Sequence, residues 1–243
     1  MQTLLILGAT GRTGRSLLER RLGQGGRVRA IVRRREGLPE STRNHPRLEL
    51  VEASVLELSD RELTRYVQDC DGVVSCLGHT LDCRGLFGAP RRLCADATSR
   101  VCRAIEENRP ARPVRFVLMN SVGVQNPDLE EKRSPFDRGI LAFLRRALPP
   151  HKDNELAAGR LHRDIGRQSP YIEWCVVRPD TLTDEGLSAC RLTASPTTSL
   201  LRGRPTARAN VARFMIDLVD DDRLWDTWKF RMPVIMDAID SDA

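Results

Sequence analysis

Short apolar runs alternate with helix-like segments over the first half of the chain. Hydrophobic residues concentrate in five runs, at positions 3–7, 28–32, 48–53, 71–78 and 115–121. The runs are nearly continuous in Val, Ile and Leu, which is typical of parallel strands buried on both faces. Between them, apolar residues recur every three or four positions, as on one face of a helix. The pattern predicts an α/β fold with a doubly wound parallel sheet.

Local signals mark where the helices begin and end. Gly23, Gly25 and Gly26 follow the first helical segment and are expected to end it. Ser59 precedes a later segment, and Glu62 lies three residues further on, which is the spacing of a capping box. Strands and helices therefore alternate in the manner of βαβ units.

The chain is expected to form one domain. Its 243 residues suit one α/β domain or two small ones, and no Pro/Ser-rich linker or low-complexity tract divides them. We therefore predict a single domain over residues 1–243. Two segments, residues 125–150 and 185–205, are longer than ordinary loops. We expect these insertions to shape the substrate side, the first as a lid or as a face of a homodimer.

The positive charge of the chain does not indicate a nucleic-acid partner. The net charge is +6, and 36 of the 39 basic residues are arginine, a bias that fits a GC-rich coding sequence. Basic residues are spread along the chain and interleaved with 33 acidic ones, and aromatic residues make up only 5%. Nucleic-acid binders usually concentrate positive charge on one face beside stacking aromatics. We expect no nucleic-acid partner.

The opening segment and the cysteines indicate a cytoplasmic protein without a metal. The apolar run TLLIL is too short for a membrane span or a secretory signal, so neither membrane attachment nor export is predicted. The seven cysteines form no CxxC pair and lie mostly in apolar runs: Cys70, Cys76, Cys83, Cys94, Cys102, Cys175 and Cys190. We expect buried, reduced thiols and no metal site.

Three glycines follow the first predicted strand in the sequence GATGRTG. Gly8 permits a tight turn, Gly11 lets the backbone approach a phosphate, and Gly14 lets the following helix pack closely on the sheet. The helix N-terminus attracts negative charge. With a strand before them and a helix and second strand after them, these glycines predict a dinucleotide site.

The end of the second strand favours NADP(H) over NAD(H). An NAD site usually carries an acidic residue there, whereas this chain has Arg33, Arg34 and Arg35, with Arg12 in the glycine loop. A guanidinium grips a 2′-phosphate through charge-assisted hydrogen bonds, while a carboxylate would repel it. The alternative is a solvated patch in an arginine-rich chain. Arg33, closest to the strand, is the leading candidate, followed by Arg34.

The chain resembles an atypical short-chain dehydrogenase/reductase of the NmrA-like, NAD(P)H-binding group, which includes flavin and biliverdin reductases. The resemblance rests on GATGRTG, AIVRR, DGVVSCLG, FVLMNSVGV, WCVVRPDTLTDE and ARANVARFMIDLV, which together span nearly the whole chain. It implies a Rossmann-like sheet. It also implies four sets of cofactor contacts: Gly8, Thr10, Gly11, Arg12 and Thr13 at the pyrophosphate, Arg33 at the 2′-phosphate, Cys76, Leu77 and Gly78 along the adenosine half, and Asn120, Ser121, Arg178, Pro179, Asp180 and Thr181 near the nicotinamide. We count Gly14, the last glycine of the loop, among the cofactor-binding residues as well.

The chain departs from this superfamily at the catalytic dyad. Dehydrogenases of the superfamily use Tyr-x-x-x-Lys, but Tyr66 and Tyr171 are followed four residues later by Cys70 and Cys175. Either the acceptor takes its proton from water or from another group, as a flavin or quinone can, or the protein binds NADPH without turning it over. A further departure places Asp180 after the Arg-Pro pair, where a small residue is usual, so an acid is expected near the reacting ring.

Four residues are candidates for the missing catalytic function. Ser121 is expected at the carboxyl end of a central strand, where ligands of open α/β sheets bind. His151 and Lys152 precede the sixth strand, where a proton donor or an electropositive group is expected. The alternative is that both are surface residues and that Asp153 caps their helix. Asp180 is the fourth candidate.

Three functions remain open. The first, which we favour, is an NADPH-dependent reductase of a small carbonyl, quinone, enone or flavin-like compound with a biosynthetic role. The second is an NADP-sensing regulator without catalysis, and the third is a redox-neutral isomerase, epimerase or cyclase. Fold alone does not separate them. We expect a small-molecule substrate and a monomer or homodimer.

Overall fold

Eight strands form one mostly parallel sheet in the order β3-β2-β1-β4-β5-β6-β10-β8. The computed structural model describes residues 2–79 and 88–238. Every neighbouring pair is parallel except β10 with β8, which is antiparallel. The strands are β1 (Thr3–Leu7), β2 (Arg27–Val32), β3 (Leu48–Glu52), β4 (Gly72–Ser75), β5 (Val114–Met119), β6 (Ile172–Pro179), β8 (Cys190–Thr193) and β10 (Val234–Asp237). A separate parallel pair joins β7 (Thr181–Thr183) to β9 (Pro205–Ala207).

Helices cover both faces of the sheet. In chain order they are α1 (Arg12–Gly23), α2 (Glu40–Arg43), α3 (Asp60–Val67), α4 (Leu93–Asn108), α5 (Pro135–Ala147), α6 (Pro149–Gly159), α7 (Arg208–Asp220) and α8 (Asp222–Trp228). A π-helical turn, Arg160–Ile165, continues α6. No helix in the described ranges has the length and apolarity that a membrane crossing demands. The predicted doubly wound, Rossmann-like architecture is confirmed.

Alternating residues of the strands feed two hydrophobic cores. On one face, Phe116 and Trp174 are fully buried under α3, α4 and α6. On the other, Ile6 and Val177 lie under α1 and α7. Because each face of the sheet packs against helices, the strands are apolar on both sides.

The predicted element positions are close to the observed ones. The capping box before α3 is confirmed, since the Ser59 hydroxyl accepts from the Glu62 N–H and the Glu62 carboxylate accepts from the Ser59 N–H at 2.8 Å. The fourth strand is shorter than the predicted run of 71–78: it ends at Ser75, and the Cys76 N–H makes one further bond to the Leu7 carbonyl. Residues 76–79 continue beyond the pairing toward the carboxyl edge of the sheet, where the candidate site lies.

The two insertions contact each other at Asp137. Its carboxylate accepts hydrogen bonds from Ser134 at the start of α5 and from Ser199 and the Leu200 N–H in the other insertion. Residues 125–150 thus contain α5 and the start of α6, and this part of the chain is tied to residues 185–205. The expectation that both insertions shape the substrate side stays a prediction.

Candidate functional site

The glycine loop packs backbone against backbone. Gly8 has φ +78°, and a Cβ there would lie 2.7 Å from the carbonyl carbon of Cys76. A Cβ on Gly14 would overlap the carbonyl oxygen of Gly8. The Gly11 N–H donates to that same oxygen at 3.0 Å, and Gly11 is the N-cap of α1 without any side-chain cap. The first N–H groups of α1 are therefore left for a ligand, as in anion sites at helix N-termini.

A cleft of about 250 Å³ opens over this loop. It lies at the carboxyl ends of β1, β2, β3 and β4 and is bounded by residues from each of them: Leu7, Gly8, Thr10, Gly11, Ile31, Val32, Arg33, Ala53, Ser54, Val55, Cys76, Leu77, Gly78 and Leu93. Most of the residues expected along the pyrophosphate and adenosine thus come together. Thr13 and Gly14 lie in α1 behind the loop, and Thr13 is buried.

Arg33 stands at the rim of the cleft without a protein partner. It is exposed, and it makes no hydrogen bond or ion pair with any residue in the described ranges. Arg34 is exposed as well, but it does not line the cleft. Glu52, at the end of the neighbouring strand β3, accepts from the Arg35 backbone N–H. The Arg33 guanidinium is therefore available to a ligand.

Arg12, in contrast, already has an acidic partner. Its Nη1 lies 2.7 Å from Asp184 Oδ2, and Arg208 holds the other oxygen of the same carboxylate at 2.6 Å. Arg12 and Asp184 are both largely exposed, so this ion pair is weak. The contact joins the glycine loop to the segment after β7.

The polar groups at the end of β5 are tied to α6. The Asn120 side chain is buried, donates to the Asn154 carbonyl at 2.9 Å and accepts from the Ser121 N–H. The half-buried Ser121 hydroxyl accepts from the Gly123 N–H at 3.2 Å. Ser121 is thus placed at the carboxyl edge of the sheet, as predicted.

His151 lies beside Ser121. A Cβ on Gly123 would lie 3.3 Å from His151 Cε1 and 3.5 Å from Ser121 Oγ, so the glycine leaves room for both groups. The His151 Nε2 atom is buried without a hydrogen-bond partner and lies 3.5 Å from Glu155 Oε1. Lys152, one residue further along α6, is exposed and has no partner in the described part of the chain.

Glu155 is held from the neighbouring helix. Arg145 of α5 donates to both oxygens of the Glu155 carboxylate, at 2.6 to 2.9 Å. Burial acts to raise the pKa of Glu155, but the contacts with His151 and Arg145 outweigh it and lower the pKa to about 2. Glu155 therefore remains a carboxylate down to strongly acidic pH.

A second histidine, His79, is paired with a carboxylate on α6. His79 is not among the residues that the sequence predicts at the site. Its Nε2 lies 2.8 Å from Asp153 Oδ2, and the side chains are 7% and 0% exposed. Asp153 also accepts from the backbone N–H groups of Cys94 and Ala95. Asp153 thus does not cap its own helix, which begins after Leu148, but caps α4 from outside. The sequence signal was the position of His79 directly after Gly78, past the strand.

The cysteines of the described ranges are free, and five of them are buried. Cys94 lies within 4.8 Å of His79 and Asp153, but its thiol donates to the Leu77 carbonyl. Burial and the Asp153 carboxylate hold the Cys94 pKa well above its ordinary value, which favours the thiol over a metal-binding thiolate. Burial also raises the pKa of Cys76 to about 12. Cys83 lies outside the described residues.

Arg178 lies inside the protein, and its guanidinium is hydrogen-bonded to protein acceptors. It is 0% exposed and donates to the carbonyls of Met232, Val124 and Ala194. It also pairs with Glu131 at 2.5 Å, while burial lowers the pKa of Arg178 and Glu131 opposes that change. Arg178 therefore secures the loops around the predicted nicotinamide end, and the guanidinium has no open face toward it.

Pro179 and Asp180 likewise hold neighbouring segments. The Pro179 carbonyl accepts from the Val122 N–H at 3.0 Å. Asp180 accepts from the Arg204 N–H at 3.1 Å and from the Thr181 hydroxyl at 3.4 Å. The half-buried Asp180 carboxylate is thus engaged by the second insertion.

Comparisons with known proteins agree with this geometry. A family model described as NAD(P)H-binding matches residues 8–222. No curated protein matches the sequence. Solved structures that resemble the chain include the oxidoreductase ylbE of Lactococcus lactis, at 17% identity and a TM-score of 0.69 over 98% of this chain and 91% of that one.

Two further structures illustrate the range of similar proteins. A short-chain dehydrogenase/reductase from Veillonella parvula in complex with NADP is 15% identical, with a TM-score of 0.68 over 97% of this chain and 94% of that one. ChuY, an anaerobillin reductase from Escherichia coli O157:H7, is 18% identical, with a TM-score of 0.67 over 97% of each chain. At these identities, the likeness establishes a shared fold.

Proposed function

The chain belongs to the NAD(P)H-binding family, and on that basis we propose that it is an NADPH-dependent reductase of a small carbonyl, quinone, enone or flavin-like compound. The observation that carries the proposal is the unpaired Arg33 at the rim of a cleft whose floor is the glycine loop. We also propose that the protein is cytoplasmic, that it is a monomer or homodimer, and that it has no nucleic-acid partner.

The residues of the cleft fit a dinucleotide phosphate. Added side-chain atoms at Gly8 or Gly14 would meet backbone, so these positions serve a close approach of the loop and α1. The uncapped N-terminus of α1 supplies N–H donors for a pyrophosphate. Arg33 supplies a positive charge for a 2′-phosphate at the end of β2. The Veillonella protein in complex with NADP supports this choice of cofactor.

The residues at the end of β5 are suited to the acceptor molecule. NADPH, when bound, supplies hydride to the acceptor. In our proposal, the Ser121 hydroxyl donates a hydrogen bond to the acceptor oxygen, and His151 beside it stabilises that hydroxyl as a donor. Lys152 adds positive charge from the exposed side of α6. Asp180, bonded to the backbone of Arg204, fixes the neighbouring loop. ChuY, a reductase of similar fold, supports the reaction class.

A binding experiment followed by turnover tests the proposal. NADPH and NADH are titrated into the protein by calorimetry, and absorbance of the reduced nicotinamide is then followed with a panel of quinones, enones, flavins and ketones. Tighter binding of NADPH, with oxidation by at least one acceptor, is the expected result. Tight binding with no oxidation by any acceptor would support the NADP-sensing regulator or the redox-neutral enzyme instead, and the absence of binding would refute all three.

A further inference from the structure

His79 is held in one orientation by a carboxylate that is itself fixed. Asp153 Oδ1 accepts from the Ala95 N–H at 2.9 Å, and Oδ2 accepts from the Cys94 N–H at 2.8 Å. Both donors belong to the first turn of α4, where the unpaired N–H groups of a helix favour negative charge. Since the Asp153 side chain is fully buried, these bonds keep its charge in place. The His79 ring therefore has a rigid anionic partner.

This contact settles which ring nitrogen is bound to the carboxylate. Nε2 of His79 is directed to Asp153, while Nδ1 makes no hydrogen bond with a residue of the described ranges. A carboxylate that accepts from one ring nitrogen orients the imidazole and leaves the other nitrogen for a second partner. The ionisable groups placed against the ring are Asp153 from α6 and the Cys94 thiol from α4. Nδ1 is thus the atom through which His79 can exchange a proton.

His79 is also close in the fold to the proposed reaction site. Gly78, its neighbour, and Leu93, which precedes Cys94, both line the cofactor cleft. On α6, the residue after Asp153 is bonded to Asn120, and Asn120 accepts from Ser121. The His79 pair and the Ser121 hydroxyl are therefore joined through one helix turn, at the ends of the adjacent strands β4 and β5.

We propose that His79, oriented by Asp153, is a second proton-transfer residue of this site, and that the acceptor is a conjugated carbonyl compound. The proposal rests on the reductase function proposed above. A simple carbonyl needs one polar contact, at its oxygen. An α,β-unsaturated carbonyl needs two polar contacts, one at its oxygen and one at its α-carbon. Hydride adds to the β-carbon, the C=C electron pair moves into an enolate, and the α-carbon must then be protonated.

The proton step balances with the groups present. The enolate oxygen lies on Ser121, the α-carbon takes the Nδ1 proton of the His79 imidazolium, and a C–H bond forms as the N–H bond breaks. The N–H electron pair stays on the ring, which becomes neutral and regains a proton from solvent. NADPH is the reductant, so the products are the saturated carbonyl compound and NADP⁺.

The orientation of the ring is testable without turnover. In nitrogen NMR spectra of the protein, we expect the Nε2 proton of His79 to be hydrogen-bonded and slow to exchange. Asp153→Asn should abolish the slow exchange, because an amide no longer offers a charged acceptor. A ring with no proton on Nε2, or slow exchange that survives Asp153→Asn, would overturn the assigned orientation.

The catalytic role is tested with His79→Gln. Glutamine can still donate to Asp153, so the fold is retained, which thermal melting verifies, but it cannot supply the proton. We expect a loss of about 10²-fold in kcat for enones, with unchanged KM for NADPH and unchanged rates on any simple aldehyde that is reduced. His45→Gln is the control, since His45 is half-buried before β3 and its ring accepts only from the Arg47 backbone N–H among the described residues.

The outcomes separate this inference from the proposed function. If the wild-type protein fails to oxidise NADPH with every acceptor tested, both the proposed function and this inference are overturned. Wild-type protein that reduces simple carbonyls but not enones overturns the substrate class. If enones are reduced and His79→Gln retains the wild-type rate on them, the role of His79 is overturned while the reductase function stands.

Discussion

The two halves of the sheet use the charged residues at their carboxyl ends in opposite ways. At the ends of β1 and β2, the cleft is lined largely by backbone and apolar groups, and Arg33 has no partner among the described residues. Around β6 and β10, charges face inward: Arg178 is enclosed by four acceptors, and Glu131 pairs with it and with Arg133. An arginine at the end of a strand is therefore not evidence of a ligand contact. What decides is whether other segments of the protein have already satisfied its donors.

The largest effect is expected around β6 and β10, where the charged side chains are buried. Glu131→Ala removes the carboxylate between two buried arginines, and breaking a buried ion pair in this way typically costs about 3–5 kcal/mol. The free energy of unfolding in urea should fall by that amount. Glu130→Ala, at an exposed neighbour, is the matched control. A loss below about 1 kcal/mol would show that the network is no stronger than a surface ion pair.

The next largest effect is expected at the glycine loop, which follows β1. Gly14→Ala forces a methyl group against the Gly8 carbonyl, so α1 must shift, at a cost of about 1–3 kcal/mol in unfolding free energy. Cofactor affinity, measured by calorimetry, should fall as well. Gly23→Ala, at the other end of α1, has open space around the new methyl group and should leave both quantities nearly unchanged. Equal effects of the two changes would contradict the close approach at Gly14.

A smaller and more selective effect is expected at Arg33. Arg33→Asp should weaken NADPH binding roughly 10- to 100-fold, the value of one or two charge-assisted hydrogen bonds, and leave NADH binding almost unaltered. Arg27→Asp, an identical charge change at the exposed opposite end of β2, should leave the ratio of the two affinities as in the wild type. If Arg33→Asp weakens both cofactors equally, Arg33 is not at the 2′-phosphate.

The smallest effect concerns Glu155, between the two halves. Its pKa is lowered from 4.5 to about 2 in the folded protein, so the unfolded chain binds a proton first as the pH falls. The stabilisation is therefore complete above about pH 5 and is lost between about pH 4.5 and 2. The difference in unfolding free energy between wild type and Glu155→Gln should shrink over that interval. A constant difference from pH 6 to 2 would refute the lowered pKa.

The sequence predicts best what nearby residues decide. The glycine loop and the Ser59 capping box depend on residues three to seven positions apart, and both are found as expected. Partners of Arg178 are 16 to 54 positions away, and Asp153 reaches the α4 N-terminus across 58 positions. No short pattern encodes such contacts. That is why Ser121 could be placed from its strand, whereas the fixed orientation of His79 emerges only in the fold.

The position of β10 has a consequence for the order in which the protein is made. Of the described strands, β8 pairs with β10 alone, and β10 in turn pairs with β6. During synthesis, β8 emerges about forty residues before its partner. Until residues 234–237 have left the ribosome, β6 presents a bare edge and β8 has nothing to pair with. This side of the sheet is completed last. A nascent chain stalled near residue 230 exposes the unpaired edges of β6 and β8, which can then pair with strands of other chains.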